Sequence, residues 1–169
     1  MPDRLPPPTD FEAILKLFLQ SGVEFIVVGG MAGNLQGSAL VTYDLDVVYR
    51  RNRENLERLV SCLQLHEPYL RGAPPGLPFR FDVETVKKGL NFTLTTTLGD
   101  LDLLGEITGG GRYEDLLPHS VEVTAFGVHF LCLGLERLII VKRAAGRPKD
   151  FEAIAELEKL LELRRKNSP

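Results

Sequence analysis

The sequence has few cysteines, no marked excess of charge and no long apolar run. Its two cysteines, Cys62 and Cys132, lack CxxC or Cys/His spacing, so we expect neither a disulfide framework nor a zinc site. We therefore expect a reducing, cytoplasmic location. The 20 basic residues against 23 acidic ones give a net charge of -3, which leaves no broad electrostatic surface for nucleic acid or an anionic membrane.

Membrane segments are not expected either. No apolar run approaches the roughly 18 residues that a membrane helix needs, and the opening MPDRLPPPTD lacks the apolar core of a signal peptide. With 169 residues, of which 44% are hydrophobic, the chain is long enough to bury one sizeable core. We therefore expect a single domain over 1–169, with no membrane partner.

Strand and helix patterns alternate along the chain, which predicts an α/β fold. Thr9 and Glu12 make a capping-box pattern that opens a first helix, and the apolar stretch 24–28 is typical of a buried central strand. The Pro- and Gly-rich stretch 67–79 is expected to be a loop that could cover a ligand. We expect a helical C-terminal segment at about 134–165, whose last helix turns Phe151 inward. The remaining predictions are strands at 44–49, 79–84, 91–97 and 100–104, a hairpin at 121–132 and a helix at 52–65.

Two aspartates lie in the strand-like segment DLDVVY. Because strand side chains alternate with period two, Asp44 and Asp46 project from the same face. Their mutual repulsion raises a pKa or destabilises the strand unless a cation lies between them, and oxygen-only ligands suit Mg²⁺. An exposed edge strand with a polar face is the alternative interpretation.

A third acid stands among apolar residues in the segment 101–104. Asp102 interrupts a stretch that otherwise belongs in a core, which indicates a functional position. Asp100 points the same way two residues earlier, but Gly99 beside it suggests that the strand only begins there. We therefore favour Asp102 and keep Asp100 as the second choice.

Gly29 and Gly30 follow the first strand and precede a short helical stretch. Glycine lets backbone N–H groups approach phosphate closely, and a helix N-terminus favours negative charge, so the pair is a candidate site for a nucleotide tail. The alternative is a tight turn that packs the helix on the strand.

Together these features resemble the DNA polymerase β-type nucleotidyltransferases. The shared pattern is an apolar residue, Gly-Gly, a short helical stretch, Asp-x-Asp and a later apolar-flanked Asp, and it covers 27–48, 101–104 and a late basic segment at 142–150. Within this superfamily, the chain most resembles small bacterial proteins such as abortive-infection E toxins and minimal nucleotidyltransferases of toxin-antitoxin pairs. The sequence departs from the pattern of many relatives at one position. Leu40 stands where they have arginine, whereas their threonine is kept as Thr42.

The resemblance implies a nucleotidyltransferase-like mixed central sheet flanked by helices, and a division of roles in the site. Asp44 and Asp46 would hold two Mg²⁺ (or Mn²⁺) ions on the phosphates of an NTP, and Asp102 would bind one metal and deprotonate the attacking hydroxyl. The acceptor would be RNA, protein or a small molecule, and an antitoxin or a second copy of the chain could complete the site. The implied nucleotide-binding residues are Gly29, Gly30, Thr42, Lys142 and Arg147.

Three alternatives stay open from the sequence. The fold could serve as a catalytically inactive module that binds nucleotide or a partner, paired strand aspartates also occur in phosphohydrolases, and Lys142 and Arg147 could be no more than solvated helix ends. Two structural outcomes would remove the case for a transferase. These are Asp102 on a different surface from Asp44 and Asp46, or an arginine filling the gap between them.

Overall fold

The computed structural model describes residues 8–168, and a mixed β-sheet lies at its centre. The strands are β1 (Phe25–Val28), β2 (Asp44–Tyr49), β3 (Tyr69–Leu70), β4 (Asn91–Thr96), β5 (Gly99–Leu104), β6 (Ser120–Ala125) and β7 (Val128–Leu133). Within the described part of the chain they form one seven-stranded sheet in the order β3-β4-β5-β2-β1-β7-β6. The β2/β5 and β1/β7 pairs are parallel, and the other neighbours are antiparallel. The predicted mixed sheet is confirmed.

Helices precede, connect and follow these strands. They are α1 (Phe11–Gln20), α2 (Gly29–Leu35), α3 (Arg53–Leu63), α4 (Val83–Lys88), α5 (Tyr113–Leu116), α6 (Leu135–Ala145) and α7 (Phe151–Asn167). The helices α1 and α3 pack together, as do α2 with α6 and α6 with α7. None of the described helices has the length and apolarity required to cross a bilayer.

The central strands β2 and β5 carry apolar and acidic residues in alternation. Leu45, Val47, Leu101 and Leu103 are fully buried, whereas the aspartates between them are only partly buried. Because successive strand side chains point to opposite faces, the apolar set secures one face in the core and leaves the acids together on the other. The burial of the apolar set therefore decides where the acids point.

Two local predictions were wrong. Helix α1 is capped by Asp10, which accepts a hydrogen bond from the Ala13 amide, whereas the Thr9 hydroxyl donates to the Tyr43 carbonyl. The strand expected at 79–84 gives way to α4, because Asp82 caps that helix through the Thr85 amide. The stretch 67–79 has little regular structure, as predicted, apart from the two residues of β3, which extend the sheet edge.

The C-terminal segment is helical, as predicted, but one inward residue was misplaced. Gly146 ends α6 with a left-handed φ of 65°, a conformation that glycine adopts without strain. Leu157 of α7 is buried, whereas Phe151, predicted to face inward, is 65% exposed. Phe151 is the first residue of its helix, and helical periodicity alone does not reveal how much neighbouring structure covers a first turn.

Candidate active site

The pairing of β2 with β5 brings the acids together. In this parallel pair Asp46 lies opposite Asp102 and Asp44 lies opposite Asp100. One carboxylate oxygen from each of Asp44, Asp46 and Asp102 lies within 4.8 Å of the other two. The geometry therefore favours Asp102 over Asp100 as the third acid, and Asp102 does share a surface with the Asp-x-Asp pair.

The glycine turn lies directly against this cluster. Val28, the last residue of β1, is opposite Asp46 on β2, so the chain enters α2 beside the carboxylate. A Cβ at Gly29 would lie 2.2 Å from Asp46 Oδ2, and the φ of Gly29 is 67°. No residue with a side chain fits here without moving the acid, so Gly29 is required by both space and backbone conformation.

Gly30 and Thr42 form a second close contact beside the first. A Cβ at Gly30 would lie 2.7 Å from Thr42 Oγ1, and that hydroxyl donates to the Asp44 carbonyl over 3.3 Å. Thr42 therefore supports the start of β2, where Asp44 begins the strand. This contact accounts for Thr42 structurally, and its predicted contact with nucleotide stays a prediction.

Burial and mutual repulsion shift the acidity of the cluster. Burial, together with the neighbouring charges of Asp44 and Asp102, raises the pKa of Asp46 to about 8. Burial also raises the pKa of Asp102, opposed by the positive charge of Arg71. The ionised form of this cluster is therefore costly unless a cation joins it.

The donor set fits a hard divalent cation. Mg²⁺ and Mn²⁺ prefer oxygen ligands, and Asp44, Asp46 and Asp102 present carboxylate oxygens to one another at close range. The buried Asp46 Oδ1 has no hydrogen-bond partner, and such an orphaned acceptor needs an explanation in terms of an ion or water. A divalent cation among these three residues would satisfy that oxygen.

Arg71 is a site residue that the sequence analysis missed. Its Nη2 lies 2.9 Å from Asp102 Oδ1, its Nε lies 3.4 Å from Asp100 Oδ2 and its Nη1 lies 3.6 Å from Asp44 Oδ2. Among the ion pairs of the described residues, none joins Arg71 to Asp46. The arginine therefore bridges two of the three acids, which in part is the arginine contact named above as counting against a transferase. It leaves Asp46 Oδ1 without a partner.

A cavity of about 230 Å³ opens on the Asp46 side of the cluster. Part of its wall is apolar and is formed by Val28, Leu104, Leu138 and Val141. The rest is formed by Gly29 and by the polar side chains of Asp46, Asn91, Glu106, Lys142 and Arg147. Three of the nucleotide-binding residues that the resemblance implied, Gly29, Lys142 and Arg147, therefore line the same cavity as Asp46.

Lys142 and Arg147 are held by one buried acid, Asp150. The Asp150 side chain accepts from Arg147 Nε at 2.8 Å, and its other oxygen lies 3.9 Å from Lys142 Nζ. The positive charge of Lys142 also lowers the pKa of Asp46, against the larger effect of burial. Lys142 is largely buried at the cavity, whereas the Arg147 side chain is 56% exposed, and their predicted contacts with nucleotide stay a prediction.

Comparison with known proteins identifies the fold. No protein-family model matches the chain, and no curated protein matches it by sequence. The crystal structure of the lincosamide antibiotic adenylyltransferase LnuA with bound lincomycin is similar over 92% of this chain and 99% of that chain, with a TM-score of 0.61 and 16% identity. A nucleotidyltransferase structure from Thermotoga maritima covers 94% of each chain, with a TM-score of 0.47 and 16% identity. The chain has the nucleotidyltransferase fold.

Proposed function

We propose that this protein is a metal-dependent nucleotidyltransferase that moves a nucleoside monophosphate from an NTP to a hydroxyl group. The observation that carries the proposal is the convergence of Asp44, Asp46 and Asp102 within 4.8 Å, beside the turn at Gly29, in a chain with this fold. The hydroxyl oxygen forms a bond to the α-phosphorus, the bond to the β-phosphate bridging oxygen breaks, and pyrophosphate leaves.

The chain's residues divide the work of this reaction. Asp44, Asp46 and Asp102 would hold Mg²⁺ or Mn²⁺, which neutralises charge on the phosphates and polarises the reacting oxygens when bound. Asp102 accepts the proton of the attacking hydroxyl. The backbone of Gly29 and Gly30 approaches the phosphates. Thr42 supports the start of β2 beside this glycine turn.

Lys142 and Arg147 add positive charge on the cavity side of the cluster. Both line the cavity that also includes Asp46, and Asp150 fixes their positions. A fixed cation lowers the free energy of developing negative charge without reorganisation during the reaction. We propose that these two residues contact the NTP polyphosphate.

The acceptor that we propose is a small molecule with a free hydroxyl group. The net charge of -3 offers no broad surface for RNA. The adenylyltransferase LnuA, whose fold is similar, carries bound lincomycin. A toxin role, with an antitoxin or a second copy as partner, stays a prediction.

Labelled transfer tests the proposal. The protein is incubated with α-³²P NTPs and Mg²⁺ or Mn²⁺, together with a panel of hydroxyl compounds that includes lincosamides, cellular RNA and cellular protein. We expect label in a small-molecule product and release of pyrophosphate, both absent from an Asp44→Ala variant. Release of inorganic phosphate would indicate a phosphohydrolase, and equal labelling by the variant would contradict the assignment.

One observation favours a second candidate, a module of the same fold without catalysis. Arg71 places positive charge against Asp44 and Asp102, where a catalytic metal would supply it. Calorimetry separates the two functions, because the inactive module would bind an NTP, or a protein partner, with no turnover and no dependence on Mg²⁺. A binding enthalpy that requires the metal, followed by the heat of turnover, supports the transferase.

A further inference from the structure

Arg71 reaches the acid cluster from a fixed position on the sheet edge. It follows β3, and its backbone amide donates to the Thr93 carbonyl at 3.0 Å. Its Nη2 also donates to the Leu94 carbonyl at 2.7 Å. The amide contact holds the Arg71 backbone at β4, so that any movement of the guanidinium is a rotation of the side chain, and this rotation breaks the contact with the Leu94 carbonyl.

The contacts of Arg71 overlap the proposed metal ligands. Asp44 and Asp102 belong to the carboxylate set that lies within 4.8 Å, and both are ion-paired with the guanidinium. Asp100, the third partner, lies outside that set. The same carboxylates would therefore bind either the Arg71 guanidinium or the divalent ion. Two positive charges at such short range repel each other.

The charges explain why the arginine is present. Asp44, Asp46, Asp100 and Asp102 face one side of two neighbouring strands, and like charges this close destabilise a fold unless they are neutralised. One guanidinium, with its five donors in a planar fork, pairs with three carboxylates at once. Arg71 Nε nevertheless has no hydrogen-bond partner, so the guanidinium satisfies the acids incompletely.

We propose that Arg71 is an internal counter-ion which the divalent cation displaces, and that it thereby sets the metal affinity of the site. This inference rests on the proposed metal-dependent function. Without metal, the guanidinium neutralises Asp44 and Asp102. When the cation binds, the Arg71 side chain rotates away from these two carboxylates.

Metal affinity measured without any nucleotide tests this exchange. Mn²⁺ binding is followed by electron paramagnetic resonance for the wild type, Arg71→Ala, Arg71→Lys and Arg80→Ala. Arg80 is an exposed arginine of the same segment and controls for the loss of one positive charge. We expect Arg71→Ala to bind Mn²⁺ roughly tenfold more tightly, as the removal of a nearby like charge implies. We expect Arg71→Lys to fall between Arg71→Ala and the wild type, and Arg80→Ala to match the wild type.

The outcomes separate this inference from the proposed function. Equal Mn²⁺ affinity in the wild type and Arg71→Ala overturns the exchange and leaves the metal site intact. An absence of Mn²⁺ binding in every variant overturns the exchange, whereas the proposed function is decided by the labelled-transfer assay, in which the NTP phosphates also hold the metal. If Arg71→Ala binds Mn²⁺ more weakly than Arg80→Ala does, the exchange is also overturned. Arg71 would then hold the carboxylate ligands in place for the metal.

A measurement on the wild type covers the case in which Arg71→Ala fails to fold. The Nε–Hε signal of Arg71 is assigned in a nitrogen-15 NMR spectrum by its absence from Arg71→Lys. Addition of Mg²⁺ should shift this signal toward that of a solvated arginine while the Arg80 signal stays unchanged. An unmoved Arg71 signal at saturating Mg²⁺ would overturn the exchange.

Discussion

Gly29 touches the carboxylate of Asp46 so closely that a single added carbon would lie 2.2 Å from Asp46 Oδ2. The same glycine has a φ of 67°, so its missing side chain serves both the turn and the acid. Real Cβ atoms do not approach oxygen at this distance, and a side chain at position 29 must therefore push the carboxylate away from Asp44 and Asp102.

We expect Gly29→Ala to abolish nucleotide transfer and to lower the free energy of unfolding by about 2 kcal/mol or more, because left-handed strain of about 1–2 kcal/mol adds to the contact with Asp46. Gly127→Ala is the matched control. Its φ is 75° and a Cβ there meets nothing within 4 Å, so we expect a loss of only about 1 kcal/mol and unchanged activity. Urea unfolding and the labelled-NTP assay measure both effects, and full activity of Gly29→Ala would refute this account of the turn.

Asp46 makes the metal-free protein sensitive to pH. Unfolded, this aspartate releases its proton near pH 4. In the fold, burial raises its pKa to about 8. Between these values the folded state holds the extra proton, so the free energy of unfolding falls as pH rises from about 4 to about 8.

Asp46→Asn removes this titration. We therefore expect the variant to be more stable than the wild type in EDTA, with a difference that grows as pH rises from about 5 to about 8. Urea unfolding across this range measures the difference. Parallel stability curves for the two proteins would show that the pKa of Asp46 is not raised.

Asp102 and Asp100 provide a matched pair on one strand. Both are on β5 and both are ion-paired with Arg71, but only Asp102 belongs to the close carboxylate set. We expect Asp102→Asn to lower kcat by about a hundredfold or more, the usual effect of losing a general base, and Asp100→Asn to change it by less than about tenfold. If Asp100→Asn were the more damaging substitution, the third acid would be Asp100.

Asp150 holds Arg147 and Lys142 at the cavity from a buried position. Asp150 is buried but its partner Arg147 is 56% exposed, so we expect Asp150→Ala to lower the free energy of unfolding by about 1–3 kcal/mol, the usual cost of losing a hydrogen bond to a charged group. We also expect a higher KM for the NTP with a smaller change in kcat, because two basic residues lose their ion-pair partner.

The control is Glu158→Gln, which breaks the exposed ion pair with Arg143 between α6 and α7 and should lower the free energy of unfolding by less than about 1 kcal/mol. An unchanged KM in Asp150→Ala would exclude the predicted phosphate contacts.

The part of the site that follows from strand periodicity could be predicted from the sequence. The period of two places Asp44 and Asp46 on one face, and a charge amid apolar neighbours identifies Asp102 without any knowledge of strand order. The C-terminal helices follow from the same kind of local pattern, whereas the mixed sheet was implied by the resemblance to nucleotidyltransferases.

Arg71 could not be predicted in this way. It meets Asp102 across 31 positions of sequence, through a strand of only two residues inside a stretch rich in proline and glycine. Short edge strands form because a neighbouring strand offers unpaired backbone groups, and local propensity does not report that neighbour. The helix α4 was missed for a similar reason, because its capping residue Asp82 stands in a segment whose apolar residues alternate like those of a strand.

The central claim is that Asp44, Asp46 and Asp102 bind a divalent cation together with an NTP. Crystals soaked with Mn²⁺ and a non-hydrolysable NTP test this claim most directly, because the anomalous signal of manganese locates the metal. We predict an anomalous peak bounded by the three carboxylates, with the phosphates beside Gly29 and the Arg71 side chain turned away from Asp44 and Asp102. Nucleotide bound elsewhere, or an arginine still paired with both acids and no manganese between them, would contradict the account.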